Sequence, residues 1–262
     1  LESGEDGLGL VDRICDHYEK WIEEQSSISI QNKFEACKEQ NLALCRTVVS
    51  RIRAGLEYLR DPANSVALRA FQFANHAILL QQIATSRPTR EYDFNITDQN
   101  FSYATAFEEN NVEHVPSNRG NWRPFQIAFI VMVLPSIAEG GDEWREAVEL
   151  IWFPTGGGKT EAYLAAASFS MFFRRFKDKD DKGTEVIIRY TLRLLTAQQF
   201  QRATALICAM EYLRDQHEEQ LGTEEFSIGI WLGSSFTPNF RNKSSPMSPG
   251  AIQVVNGLKK GK

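Results

Sequence analysis

At 262 residues, 42% apolar and 24% charged, the chain has an ordinary globular composition and the length of one large domain or two smaller ones. Its net charge of −5 excludes a globally basic protein, so any contact with nucleic acid must be local. Cys15, Cys37, Cys45 and Cys208 are scattered without a CxxC pair, which gives a zinc site no support and favours a reduced, cytoplasmic chain. No apolar run reaches the ~18 residues of a membrane span, and no signal peptide opens the sequence. A start at Leu1 without methionine and an end in "NGLKKGK" read as a fragment of a longer protein.

Residues 1–86 read as a helical domain. In "LGLVDRICDHYEKWIEE", Leu10, Ile14, Tyr18 and Ile22 fall on one face at spacing four. "LALCRTVVSRIRAGLEYL" repeats the habit with Leu44, Val48, Ile52 and Leu56. Asp61 and Pro62 break the pattern, and Asn64 or Ser65 can cap the next helix, "VALRAFQFANHAILLQQIA". Residues 87–121 have no clear period and are crowded with Pro88, Asn95, Asn100, Asn110, Asn111, Pro116, Asn118 and Gly120. They read as an irregular connection or insertion. The Asn-Ile-Thr at 95–97 fits a glycosylation sequon, which a cytoplasmic location makes moot.

Residues 122–262 have a different grammar. "FQIAFIVMVLPSIA" is an apolar helix, and "AVELIWFP" a short apolar run read as a buried strand. A glycine loop and the helix "TEAYLAAASFSMFFRRF" follow. "EVIIRY" at 185–190 is a second expected strand, "TAQQFQRATALICAMEYLRDQ" a helix, "FSIGIWLG" a third strand and "AIQVV" at 251–255 a fourth. Apolar strands alternating with helices imply an α/β fold with a mostly parallel sheet flanked by helices.

The glycine loop carries the chemistry. "FPTGGGKTE" matches the phosphate-loop pattern at Gly158, Lys159 and Thr160, with Phe153 in place of the pattern's first glycine. Thr155, Gly156, Gly157 and Gly158 form a loop whose N–H groups can converge on one anion. A helix starting near Lys159 adds its N-terminal dipole. Lys159 would reach the β- and γ-phosphates of ATP, and the Thr160 hydroxyl would hold Mg²⁺. These two are the expected catalytic residues.

"PTGGGKTE" resembles motif I of superfamily 2 helicases, in which the first glycine is often absent. Upstream, "NWRPFQIAF" is similar to their Q motif. The resemblance gives Gln126, 33 residues before Lys159, the task of reading adenine. An amide can pair with N6 and N7 together and so favour ATP over GTP. Alternatively, Gln126 simply begins a core helix. Downstream, "RYTLRLLTAQQFQRA" occupies the place of motif Ia, which touches the nucleic-acid backbone, so Thr191, Arg193 and Gln199 would meet DNA phosphates. Thr196 and Gln199 also make a T-x-x-Q capping box, which accounts for both locally.

Together with "RAFQFANHAILLQQ" at 69–82, these stretches resemble the helicase of DISARM anti-phage defence systems across roughly 65–235. That resemblance implies a RecA-like P-loop domain, here the incomplete first half of a motor. It implies an ATP-driven DNA helicase or translocase acting with a partner subunit, DrmB. The acidic Mg²⁺ motif and the second motor domain are not found in the sequence, so this chain alone is expected to be inactive. "RDQHEEQ" at 214–220 reads instead as a solvated face. Two other readings remain: a non-helicase P-loop ATPase whose nucleotide state regulates a protein partner, and a helical interaction module that only binds nucleotide.

Overall fold

The computed structural model describes residues 7–87, 90–98, 100–106, 120–154, 156–189, 193–231, 238, 240–242 and 250–258, excepting the side chains of 193–197 and 258. Two compact units are present. The first comprises Leu1–Ile187 and Ala205–Phe226; the second comprises Ile188–Thr204 and Ser227–Lys262.

The first unit is built on helices α1 (Gly7–Ser27), α2 (Asn32–Arg60), α3 (Ser65–Ser86), α4 (Pro124–Ala138) and α5 (Lys159–Lys177). Strands β1 (Tyr92–Asn95) and β2 (Asn100–Tyr103) form a hairpin between α3 and α4. Helix α6 (Arg193–Gln216) begins in the second unit and ends in the first, followed by the short α7 (Glu218–Leu221). No helix among the described residues is long and apolar enough to cross a membrane.

Packing follows the apolar stripes. α2 lies between α1 and α4, and α5 packs on α3 and α4. The crossing of α2 with α4 needs a glycine: a Cβ on Gly55 would stand 2.0 Å from the Val131 carbonyl oxygen. At the α2–α3 corner, Asp61 accepts the Ala63 N–H at 2.9 Å. Asn64 does not cap α3 with its side chain; its Nδ2 donates back to the Tyr58 carbonyl at 3.1 Å. The core of the unit is aromatic. Phe169 and Phe172 are fully buried, and Phe172 meets Phe73 and Phe226 edge-on, each at 5.5 Å. The 214–220 stretch is solvated as expected at Asp215, Gln216, Glu218, Glu219 and Gln220, while Arg214 and His217 turn inward. Arg214 is buried and donates to the Gly222 carbonyl at 3.0 Å, and His217 meets Phe73 at 5.0 Å.

The seam between α1 and α2 is ionic. Arg53 donates to Asp16 at 2.8 Å and to Glu19 at 2.7 Å, and Arg60 pairs with Asp12. Hydrogen bonding from Arg60 holds the Asp12 carboxyl below its usual pKa, and Arg53 does the same for Glu19. Both carboxyls are therefore lowered in the folded state. The stability they supply is present above the unfolded carboxylate pKa of ~4 and lost as pH falls through the lowered folded values. Arg53 is about a third exposed, so its pairs are each worth ~0.2–1 kcal/mol at most. Arg53→Ala should accordingly cost about 1 kcal/mol at pH 7. Denaturant melts from pH 7 down to pH 3 should show that gap narrowing, whereas a constant gap would mean that Arg53 acts by packing alone.

Among the described residues there is no mostly parallel sheet of the kind expected from the sequence. The sheet among the described residues is the two-stranded antiparallel hairpin β1–β2, with Tyr92 opposite Tyr103 and Phe94 opposite Phe101. It falls within the stretch read as irregular. The run 147–153 is neither helix nor strand, and Val148, Leu150 and Trp152 are 96%, 79% and 89% exposed. Residues 185–189 and 226–231 likewise form no ladder, and 251–255 lies in a helix, α8 (Ala251–Leu258). The physical reason is that a strand needs a neighbour in register for its backbone groups, whereas a helix satisfies its own. A short apolar run satisfies either pattern. In the 185–189 stretch Glu185 bonds instead to Arg174 and Ser170 of α5. The RecA-like architecture is thus corrected to a helical assembly with a small hairpin.

In the second unit, α8 starts behind Gly250, with Ala251 N–H donating to the Phe240 carbonyl at 2.8 Å. A Cβ on Gly250 would stand 2.3 Å from the Asn242 backbone.

Candidate phosphate-binding loop

The loop at 153–158 hangs between two anchored segments. Ahead of it, the half-buried Arg51 of α2 pairs with Glu149 and lies over the Trp144 ring at 4.3 Å. Behind it, α5 begins at Lys159, with Gly158 as its N-cap. Gly156 and Gly158 have φ of +79° and +85°, which only glycine adopts without strain. Gly158 is doubly constrained, because a Cβ there would approach Gln126 Nε2 to 2.7 Å.

Phe153, the departure from the pattern, has a packing role. Its ring stacks on Phe125 of α4 at 4.1 Å. A Cβ on Gly157 would meet that ring at 2.5 Å, so the phenylalanine and the glycine go together. Lys159 Nζ donates to the Phe153 and Pro154 carbonyls at 2.6 and 3.0 Å. Its ammonium therefore lies at the mouth of the loop. Thr160, in the first turn of α5, accepts from the Tyr163 hydroxyl at 3.3 Å. Thr155 lies outside the described residues.

Gln126 is the third residue of α4 and is buried. Its Oε1 accepts the Arg123 N–H at 2.8 Å, and its Nε2 donates to the Gly158 carbonyl at 2.7 Å. Arg123 Nη1 donates to the Gly157 carbonyl at 2.9 Å. Sequence reasoning placed Gln126 near the loop in function but gave no role to Arg123 or Phe125. The available signal was their position beside Pro124, the first residue of α4.

An open glycine loop at a helix N-terminus with an adjacent ammonium fits a polyphosphate: Gly156 has nothing within 4 Å of an added Cβ. One N–H is already engaged, since Gly157 donates to the Pro154 carbonyl at 3.2 Å.

No family model matches the chain. A curated relative does: the DISARM protein DrmA of Bacillus paralicheniformis is 35% identical over 238 residues. This chain is similar to DrmA. The similarity covers 88% of the chain and 20% of DrmA, so the chain spans about a fifth of the length of the curated relative it matches.

The segment expected to touch nucleic acid belongs to the second unit up to Thr204. Arg193 is the first residue of α6, and Gln199 lies half-buried two turns further along. Thr191 lies outside the described residues. Because α6 begins at Arg193, Thr196 is inside the helix and is not its N-cap. The capping-box explanation of Thr196 and Gln199 needs Thr196 outside the helix and therefore does not apply.

Proposed function

We propose that this chain is the nucleotide-binding portion of a DISARM-type anti-phage helicase or translocase. ATP would be held by Gly156, Gly157, Gly158 and Lys159, and the observation that carries this reading is the Lys159 ammonium gathered at the mouth of a left-handed glycine turn that opens α5. The similarity to DrmA supports the defence role. Thr155 would contribute to the same site, and the Thr160 hydroxyl would hold Mg²⁺, which neutralises phosphate charge when bound. Lys159 supplies a second cation to the same oxygens. Thr191, Arg193 and Gln199 contact the DNA backbone, and DrmB is the partner subunit.

Hydrolysis also requires a positioned water and charge neutralisation from the far side of the phosphate. An arginine finger alone is worth about 10³–10⁵ in rate. Neither element is found between residues 161 and 262 of the sequence. The test has two arms. Calorimetry on this chain should register Mg·ATP binding, and phosphate release should be stimulated by single-stranded DNA in the full-length protein but not in this chain. Full-length turnover indifferent to DNA would favour a nucleotide-regulated ATPase that is not a helicase.

A further inference from the structure

We infer that Arg123 and Gln126 are positioning residues that aim the N–H donors of the phosphate loop, and that Gln126 does not read the base. This rests on the loop binding a polyphosphate, as proposed above.

The inference follows from peptide geometry. In a trans peptide, the C=O of one residue and the N–H of the next point to opposite sides of the chain. No cis peptide occurs among the described residues. Arg123 holds the Gly157 carbonyl at 2.9 Å, so the Gly158 N–H is turned away from α4. Gln126 holds the Gly158 carbonyl at 2.7 Å, so the Lys159 N–H is turned away as well. Two consecutive donors are thus aimed to the side opposite the clamp, at the N-terminus of α5, where an anion is best stabilised. The clamp itself is anchored. Gln126 Oε1 is held by the Arg123 N–H, and the neighbouring Trp122 Nε1 donates to Asn75 of α3 at 2.6 Å.

Base reading by Gln126 conflicts with this arrangement. The residue is 5% exposed, and its amide oxygen and nitrogen each already serve a backbone partner. Turning the amide toward adenine would release the Gly158 carbonyl and free the Lys159 peptide to rotate. Buried polar groups left without partners are costly, so the clamp and the base compete for one side chain.

The experiment compares ATP, GTP and inorganic tripolyphosphate, all with Mg²⁺, by calorimetry on this chain. The proteins are wild type, Gln126→Ala, Arg123→Ala and Arg123→Lys, each with a thermal melt to confirm folding. Positioning predicts that Gln126→Ala and Arg123→Ala weaken all three ligands by the same factor, about fivefold. Arg123→Lys, which keeps a cationic donor, should recover most of the loss. A loss confined to ATP, with GTP and tripolyphosphate unchanged, would overturn the inference and make Gln126 a base reader. Unchanged binding of all three would also overturn it. Should Gln126→Ala fail to fold, the Arg123 pair decides by the same comparison. A wild type that binds none of the three would instead refute the phosphate-loop reading on which the inference rests.

Discussion

Phe172→Ala is expected to cost about 3–5 kcal/mol of unfolding free energy. The ring is fully buried on α5. It meets Phe73 of α3 and Phe226 beyond α7 edge-on at 5.5 Å, and lies 6.4 Å from Phe176 on its own helix. Removing it takes away the transfer energy of a phenyl group and leaves a cavity bounded by three segments that cannot all collapse inward. The edge-to-face pairs add roughly 0.5–1.5 kcal/mol each beyond burial. Global stabilities of about 5–15 kcal/mol leave little margin for such a loss. Arg175 should amplify it, since its buried guanidinium lies over Phe226 at 4.7 Å and donates to the Leu221 and Glu224 carbonyls. Urea denaturation followed by circular dichroism would measure the change. A loss below about 1 kcal/mol would show that the aromatic cluster does not tie α5 to the 217–226 segment.

Phe172 also illustrates what the sequence made legible. Helix α5 could be read because its apolar residues extend over five turns behind a glycine stop. The glycine loop could be read because its pattern dictates backbone conformation, and Gly156 and Gly158 do have positive φ. The buried face of a helix was less accessible. On α1 the buried residues are Val11, Cys15 and Ile22, whereas Leu10, expected in the stripe, is exposed. On α2 Ile52 and Leu56 are buried as expected, but Leu44 is exposed and Leu42 takes the inner position. Two adjacent apolar stripes differ by only ~100° of rotation, and the choice between them is made by the partner helix. The sheet failed for a related reason, because strand pairing is a property of segments far apart in sequence. The hairpin was missed although Tyr92 and Phe94, then Phe101 and Tyr103, alternate as a strand should. The asparagines between them drew the reading toward irregular chain. The Arg123 contact with the Gly157 carbonyl could not be read at all, since no residue pattern encodes a side chain meeting a backbone group 34 residues away.

Lys159→Ala should lower affinity for Mg·ATP at least tenfold, or ~1.4 kcal/mol and up to ~3 kcal/mol. The sign follows from what the ammonium exchanges on binding. In this structure it donates to the Phe153 and Pro154 carbonyls, at 2.6 and 3.0 Å. These are neutral acceptors on an exposed loop, where water can substitute at little cost. A phosphate oxygen offers a charged acceptor, so the ammonium gains a Coulombic attraction that a neutral carbonyl cannot supply. The exchange therefore favours the nucleotide, and deleting the ammonium forfeits the difference. It should forfeit little stability, because the two carbonyls it leaves are open to solvent and Gly158 still caps α5. Substitution by methionine should behave alike, since the aliphatic stem is retained and only the charge is lost. The affinity lost should also shrink as salt rises, because an exposed ion pair is screened. Calorimetric titration of Mg·ATP into wild type and both variants, at two ionic strengths and with melting temperatures measured alongside, decides the matter. Equal affinities with intact folds would mean that the lysine only ties down its own loop, and that 153–160 is a structural turn rather than a phosphate cradle.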